Sequence, residues 1–118
     1  MGKTSPAIGR CIETRAADHL SALGVTIIAR NVRRRCGEID LIGREGATVL
    51  FIEVRKRSSA RFGGAAASIT GRKQARIIAA ARAWLGGRTP LCRFDAILVD
   101  GPDGSIEWLR DAFRCDGL

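Results

Sequence analysis

Two acidic residues stand out because of the company they keep. Asp40 occurs in Gly37-Glu38-Ile39-Asp40-Leu41-Ile42, and Glu53 in Phe51-Ile52-Glu53-Val54-Arg55-Lys56-Arg57. A carboxylate inside an otherwise apolar strand is costly unless an ionic or hydrogen-bonding partner meets it. If the two runs form a hairpin closed by a four-residue loop, Glu45 to Thr48, then Ile42 pairs with Phe51, Asp40 with Glu53 and Glu38 with Arg55. Directly opposed Cβ atoms lie about 5 Å apart, so two carboxylates there repel. A divalent cation between them would relieve this, and hard oxygen ligands favour Mg²⁺ or Mn²⁺. The other reading is an ion-paired sheet without chemistry, in which Arg55 meets Glu38 and the arginines Arg33 to Arg35 neutralise Asp40.

The surroundings of this pair are strongly basic. The 118 residues carry 20 Lys and Arg against 12 Asp and Glu, a net charge of +8. The segment from Arg30 to Arg76 holds 12 of the basic residues and only four acidic ones, Glu38, Asp40, Glu45 and Glu53, so all of the excess lies there. Seventeen of the 20 basic residues are Arg, whose forked guanidinium matches phosphate oxygens in pairs. Arg33, Arg34, Arg35, Lys56, Arg57, Arg61, Arg72, Lys73 and Arg76 are the candidate phosphate contacts. With no Tyr, four Phe and two Trp, a single-strand binder that stacks bases on aromatic rings is disfavoured.

These residues need elements to hold them. Ser5 as N-cap, Pro6 in the first turn and Gly24 after Leu23 bound a first helix. Its apolar stripe is Ile12, Ala16, Ala17, Leu20 and Leu23, with Glu13 inside it. A core-facing carboxylate needs a partner, unless Glu13 sits at the stripe's edge and reaches water. Strands follow over Val25 to Asn31, Glu38 to Ile42 and Thr48 to Arg55, with Arg33 to Gly37 as a basic loop between the first two. The third strand is apolar on both faces, as in a strand covered on both sides. Arg57 to Ser68, with Gly63-Gly64 and a run of Ala, shows no period and reads as a mobile loop. A second helix spans roughly Gly71 to Leu85, its core stripe made by Ile77, Ile78, Ala81, Trp84 and Leu85. Gln74 lies in the centre of that stripe, where its amide either meets the acidic site or caps nearby backbone. Lys73 lies at the border, Arg72 and Arg76 outside. Strands from Cys92 to Asp100 and Ser105 to Leu109 complete one domain over 1–118, an α-β-β-β-α-β-β sandwich around a mixed central sheet flanked by helices.

Several classes are excluded. No apolar run approaches the roughly 20 residues of a membrane span. The first residues lack the apolar core of a secretory signal, and Pro6 blocks the myristoylation pattern. Cys11, Cys36, Cys92 and Cys115 are far apart, without a C-x-x-C pair, and His19 is the only histidine, which argues against structural zinc. Reduced, packing cysteines in a cytoplasmic protein are the default expectation.

The run Gly37 to Ile42, then Phe51 to Arg57, Phe62-Gly63-Gly64, Lys73-Gln74 and Arg93-Phe94-Asp95, resembles the bacterial YraN-like family over nearly the whole chain, from Gly9 and Glu13 to Trp108. The resemblance implies a restriction-endonuclease-like fold related to archaeal Holliday junction resolvases. The nuclease pattern is a helix carboxylate, an Asp and an E-x-K on the next strand. By position these fall on Glu13, Asp40 and Glu53, with Gln74 at a preferred position on the following helix. The lysine position is Arg55, and strand parity sends Lys56 to the opposite face. Arg can stabilise developing charge but stays protonated and cannot act as a base.

The sequence therefore supports a metal-dependent nuclease for branched or otherwise structured DNA. Asp40, Glu53 and the Val54 carbonyl would hold Mg²⁺ or Mn²⁺, Glu13 would orient a water and Arg55 would stabilise charge. The alternative is a nucleic-acid-binding module on a nuclease fold, without turnover. A third reading is an interaction protein whose basic face meets an acidic protein or ribosomal RNA. Junction-cutting relatives imply a symmetric homodimer, although no exposed apolar stripe calls for one.

Overall fold

A computed structural model describes residues 4–56, 69–100 and 104–114, with side chains from Ile12 onward. The elements run α1 (Thr4–Ala22), β1 (Thr26–Arg34), β2 (Gly37–Glu45), β3 (Thr48–Lys56), α2 (Gly71–Leu85), β4 (Leu91–Val99) and β5 (Ile106–Phe113). The five strands form one sheet in the order β1-β2-β3-β4-β5. Neighbours are antiparallel except β3 and β4, which are parallel and separated in the chain by α2. A parallel pair needs such a crossover.

The two helices cover opposite faces. On one, Ile77, Ala80, Ala81 and Leu85 of α2 pack over Val32, Ile39, Ile42, Val49, Phe51 and Phe94. On the other, Ile12, Ala16, Ala17 and Leu20 of α1 pack over Leu41, Leu50, Ile52, Ile97 and Val99. Burial on both sides explains why β3 reads as nearly continuous apolar sequence. Among the described residues no helix is long and apolar enough to cross a membrane.

The helix ends follow their local chemistry. Gly24 adopts φ 96° after α1, where Leu23 N–H and Val25 N–H both donate to the Leu20 carbonyl. This tight ending turns Leu23 away from the core, where it is 54% exposed, so the expected stripe stops at Leu20. α1 begins at Thr4, one residue ahead of the expected Ser5 cap. In α2 the Thr70 hydroxyl accepts from the Lys73 N–H, and Gly86 closes the C-terminus in the left-handed region.

The hairpins refine three expectations. Arg33 and Arg34 belong to β1 and pair with Glu38 and Gly37, so the basic loop shrinks to a turn at Arg35-Cys36. The β2–β3 register is the one expected, Ile42 opposite Phe51, but the turn is only Gly46-Ala47, with Gly46 at φ 60°. β5 continues to Phe113, beyond the expected end at Leu109, because a bulge between its pairings with Phe94 and Ala96 lets it rejoin β4.

Candidate functional site

The β2–β3 ladder starts at Glu45↔Thr48 and ends at Leu41↔Ile52. Asp40 and Glu53 are the next residues along it, so the acidic pair stands where the two strands part. At this point β2 also loses its alternation. Ile39 and Ile42 both pack on the α2 side, whereas Leu41 packs on the α1 side. Simple strand alternation, which would put Glu38, Asp40 and Ile42 on one face, therefore fails here. Glu38 is exposed and pairs at 3.7 Å with Arg33, its neighbour across the β1–β2 hairpin, in place of Arg55.

A side chain fills the gap left by the ladder. Asp40 Oδ2 accepts a hydrogen bond of 2.8 Å from the Val54 N–H. Across the fork, Glu53 is buried at 5% exposure on the α2 side of β3. Its Oε2 lies 3.2 Å from Lys73 Nζ of α2 and 3.5 Å from Arg55 Nη1 of its own strand. Burial first, then the neighbouring charge of Glu53, pushes the Asp40 carboxyl up to about 8. Glu13 of α1 adds to the negative potential at Asp40. Glu13 is half-buried, and its Oε1 is buried without a hydrogen-bond partner.

Asp40 and Glu53 lie in the wall of a cavity of about 290 Å³. Arg34 and Arg35 from the β1–β2 hairpin line it on one side, Lys73 and Arg76 from α2 on the other. The hairpin approaches α2 this closely because residue 37 is glycine; a Cβ there would overlap the Arg76 carbonyl. The result is a small anionic centre inside a cationic rim. Half-buried Asp40 and buried Glu53 put two carboxyls in one wall, and hard oxygen ligands of this kind are those a divalent cation takes. Among the described residues no three Asp, Glu, His or Cys side chains converge closely enough to hold a metal by themselves.

The other expected residues are distributed as follows. Val54 contributes its N–H to Asp40. Gln74 Nε2 donates to the Ile69 carbonyl at 3.0 Å, so its amide caps the backbone entering α2. Arg72 is exposed in the first turn of α2, and Lys56 is exposed at the end of β3. Arg57 and Arg61, with the Phe62-Gly63-Gly64 run and the loop expected over Arg57 to Ser68, lie outside the described residues, as does Cys115.

Lys73 was expected only as a phosphate contact; its ion pair with Glu53 depends on how α2 docks. Its place at the border of the helix's apolar stripe was the available signal. A second buried acid, Asp95, is fully enclosed and fully partnered. It accepts from Arg93 Nε and Nη2, the Trp108 indole and the Asp111 N–H, all within 2.9 Å. Arg93 reaches on to Glu45, so this network ties β4, the β5 bulge and the β2–β3 turn together. The i, i+2 spacing of Arg93 and Asp95 places both on one face of a strand.

The family model described as "Uncharacterised protein family UPF0102" matches residues 12–99, from α1 to the end of β4. The chain belongs to the UPF0102 family. A UPF0102 protein of Dechloromonas aromatica is 49% identical over 114 residues, covering 96% of this chain and 93% of the relative. One from Ralstonia nicotianae is 53% identical over 114 residues, with 91% and 86% covered. One from Serratia proteamaculans is 48% identical over 115 residues, with 93% and 97% covered. The similarity of this UPF0102 chain to its bacterial relatives thus includes every element of the fork.

Proposed function

We propose that this UPF0102 protein is a metal-dependent nuclease that hydrolyses phosphodiester bonds in structured or branched DNA. The observation that carries the reading is the Asp40–Glu53 pair, two carboxyls held together in a cavity rimmed by Arg34, Arg35, Lys73 and Arg76. A surface meant only to hold phosphate gains nothing from buried anions at its centre; a phosphodiesterase needs them to hold a cation. Asp40 and Glu53, with the Val54 carbonyl, would hold Mg²⁺ or Mn²⁺, which supplies Lewis acidity and lowers the pKa of water. Glu13, whose Oε1 has no hydrogen-bond partner, would accept a hydrogen bond from the attacking water and orient it. Arg34, Arg35, Arg72 and Arg76 bind flanking phosphates. The preference for branched DNA rests on the resemblance to junction resolvases. The test is cleavage of a four-way junction and a linear duplex with Mn²⁺, beside Asp40→Ala. Metal-dependent cutting by the wild type alone supports the proposal; equal cutting by both proteins defeats it.

One observation favours a second reading, a nucleic-acid-binding module without turnover. Arg55, the cation on β3 beside Glu53, stays protonated and cannot serve as a base. This reading requires salt-dependent junction binding that Asp40→Ala leaves intact or strengthens, with no product from either protein.

A further inference from the structure

Two cations reach the same carboxylate oxygen, Glu53 Oε2, and their settings differ. Lys73 comes from the first turn of α2 and lines the cavity together with Asp40 and Glu53. Arg55 comes from β3 and does not line it. The Lys73 side chain is 41% exposed, that of Arg55 27%. We propose that Lys73 is the side chain that touches the phosphodiester inside the cavity, and that Arg55 is a positioning residue acting through Glu53. This deepens the nuclease reading and rests on it for the identity of the ligand.

The chemistry follows from what each group can offer. An ammonium has three donors on a flexible stem, so Lys73 can keep Glu53 and still donate to a non-bridging phosphate oxygen. Its backbone is fixed, and its ammonium has donors beyond the one that faces Glu53. The Lys73 N–H is held by Thr70 Oγ1, and the next residue, Gln74, is tied to the Ile69 carbonyl. A phosphate entering the cavity meets two carboxyls, and Lys73 is the α2 cation already in contact with one of them. Arg76, one turn further along α2, extends the same basic wall outward. On β3, by contrast, Arg55 is held in register opposite Leu98 of β4, beside its own carboxylate partner.

The chain has only three lysines, Lys3, Lys56 and Lys73, so lysine-selective isotope labelling of the full protein gives a readable NMR spectrum. The probe is a thymidine dinucleotide, the shortest DNA fragment with a phosphodiester linkage, titrated with Mg²⁺ present. The side-chain signals of Lys73 should shift saturably while those of Lys3 and Lys56 stay in place. Lys73→Met should weaken dinucleotide binding about fivefold or more, the effect of losing one charge-assisted hydrogen bond, and Lys73→Arg should restore most of it. Arg55→Met should weaken dinucleotide binding clearly less than Lys73→Met does. Lys73→Met should also bind Mn²⁺ more tightly, because a competing cation has left Glu53; a merely structural lysine would show the opposite.

Stationary Lys73 signals, an Arg55→Met defect as large as that of Lys73→Met, weaker Mn²⁺ binding by Lys73→Met, or no dinucleotide binding at all would each overturn the assignment. Shifted Lys73 signals in a protein that cuts no junction would keep the contact and discard the nuclease.

Discussion

Replacing Asp40 by Asn should stabilise the protein in a strictly pH-dependent way. The Asp40 carboxyl is raised from 3.8 to about 8, so between those values the folded protein holds close to one more proton than the unfolded chain. Stability then falls as pH rises, by about 1.4 kcal/mol per pH unit, and the full window is worth on the order of 5 kcal/mol. Asn keeps an oxygen for the Val54 N–H and can donate to Glu53, but burying its amide returns roughly 1–3 kcal/mol of that gain. Asp40→Asn should therefore exceed the wild type by on the order of 2–4 kcal/mol above pH 8, or roughly 8–16 °C in Tm for a chain this size. Well below pH 4 Asp40 is protonated in both states, so the advantage should give way to a deficit of about 1–3 kcal/mol from the buried amide. Thermal or urea unfolding in EDTA across this range reads the difference directly. Added Mn²⁺ should then stabilise the wild type and leave Asp40→Asn unmoved, since binding to the folded state alone raises its stability. An offset that is the same in acid and in base, or equal stability of the two proteins in base, would refute the reasoning.

Three other perturbations have defined outcomes. Asp95→Ala leaves Arg93, the Trp108 indole and the Asp111 N–H without their common acceptor, and chemical denaturation should show a loss of about 3–5 kcal/mol. Gly37→Ala drives a methyl group into the Arg76 carbonyl, which should cost about 1–3 kcal/mol in unfolding experiments and weaken Mn²⁺ binding by moving the hairpin off α2. Glu13→Met removes the buried, unpartnered oxygen, so in EDTA it should gain about 1 kcal/mol while calorimetry shows weaker Mn²⁺ binding.

The sequence carried the local features well. The bounds of α2, Gly71 to Leu85, coincide with those observed because apolar spacing and a Gly86 stop are properties of the helix itself. The Ile42↔Phe51 register followed from a short turn at Glu45 to Thr48. What strand alternation could not convey is where the ladder ends. Ile39 and Leu41 are claimed by different helices, α2 and α1, and this pull from two faces breaks the repeat at Asp40. The Lys73–Glu53 pair and the Asp95 network join residues 20 and 13 positions or more apart, except for Arg93, so they depend on docking rather than on any local pattern.

The fork between β2 and β3 also bears on ion choice. Asp40 Oδ2 already accepts from the Val54 N–H, which leaves Oδ1 the less encumbered of its two oxygens. An ion here would take one oxygen from Asp40, not two, and would complete its shell with solvent. Mg²⁺ tolerates that arrangement, since it keeps several waters, whereas Ca²⁺ is commonly held by more protein oxygens and often by a two-oxygen carboxylate. In the proposed nuclease, the same hydrogen bond that closes the gap in the sheet would bias the site toward Mg²⁺ over Ca²⁺.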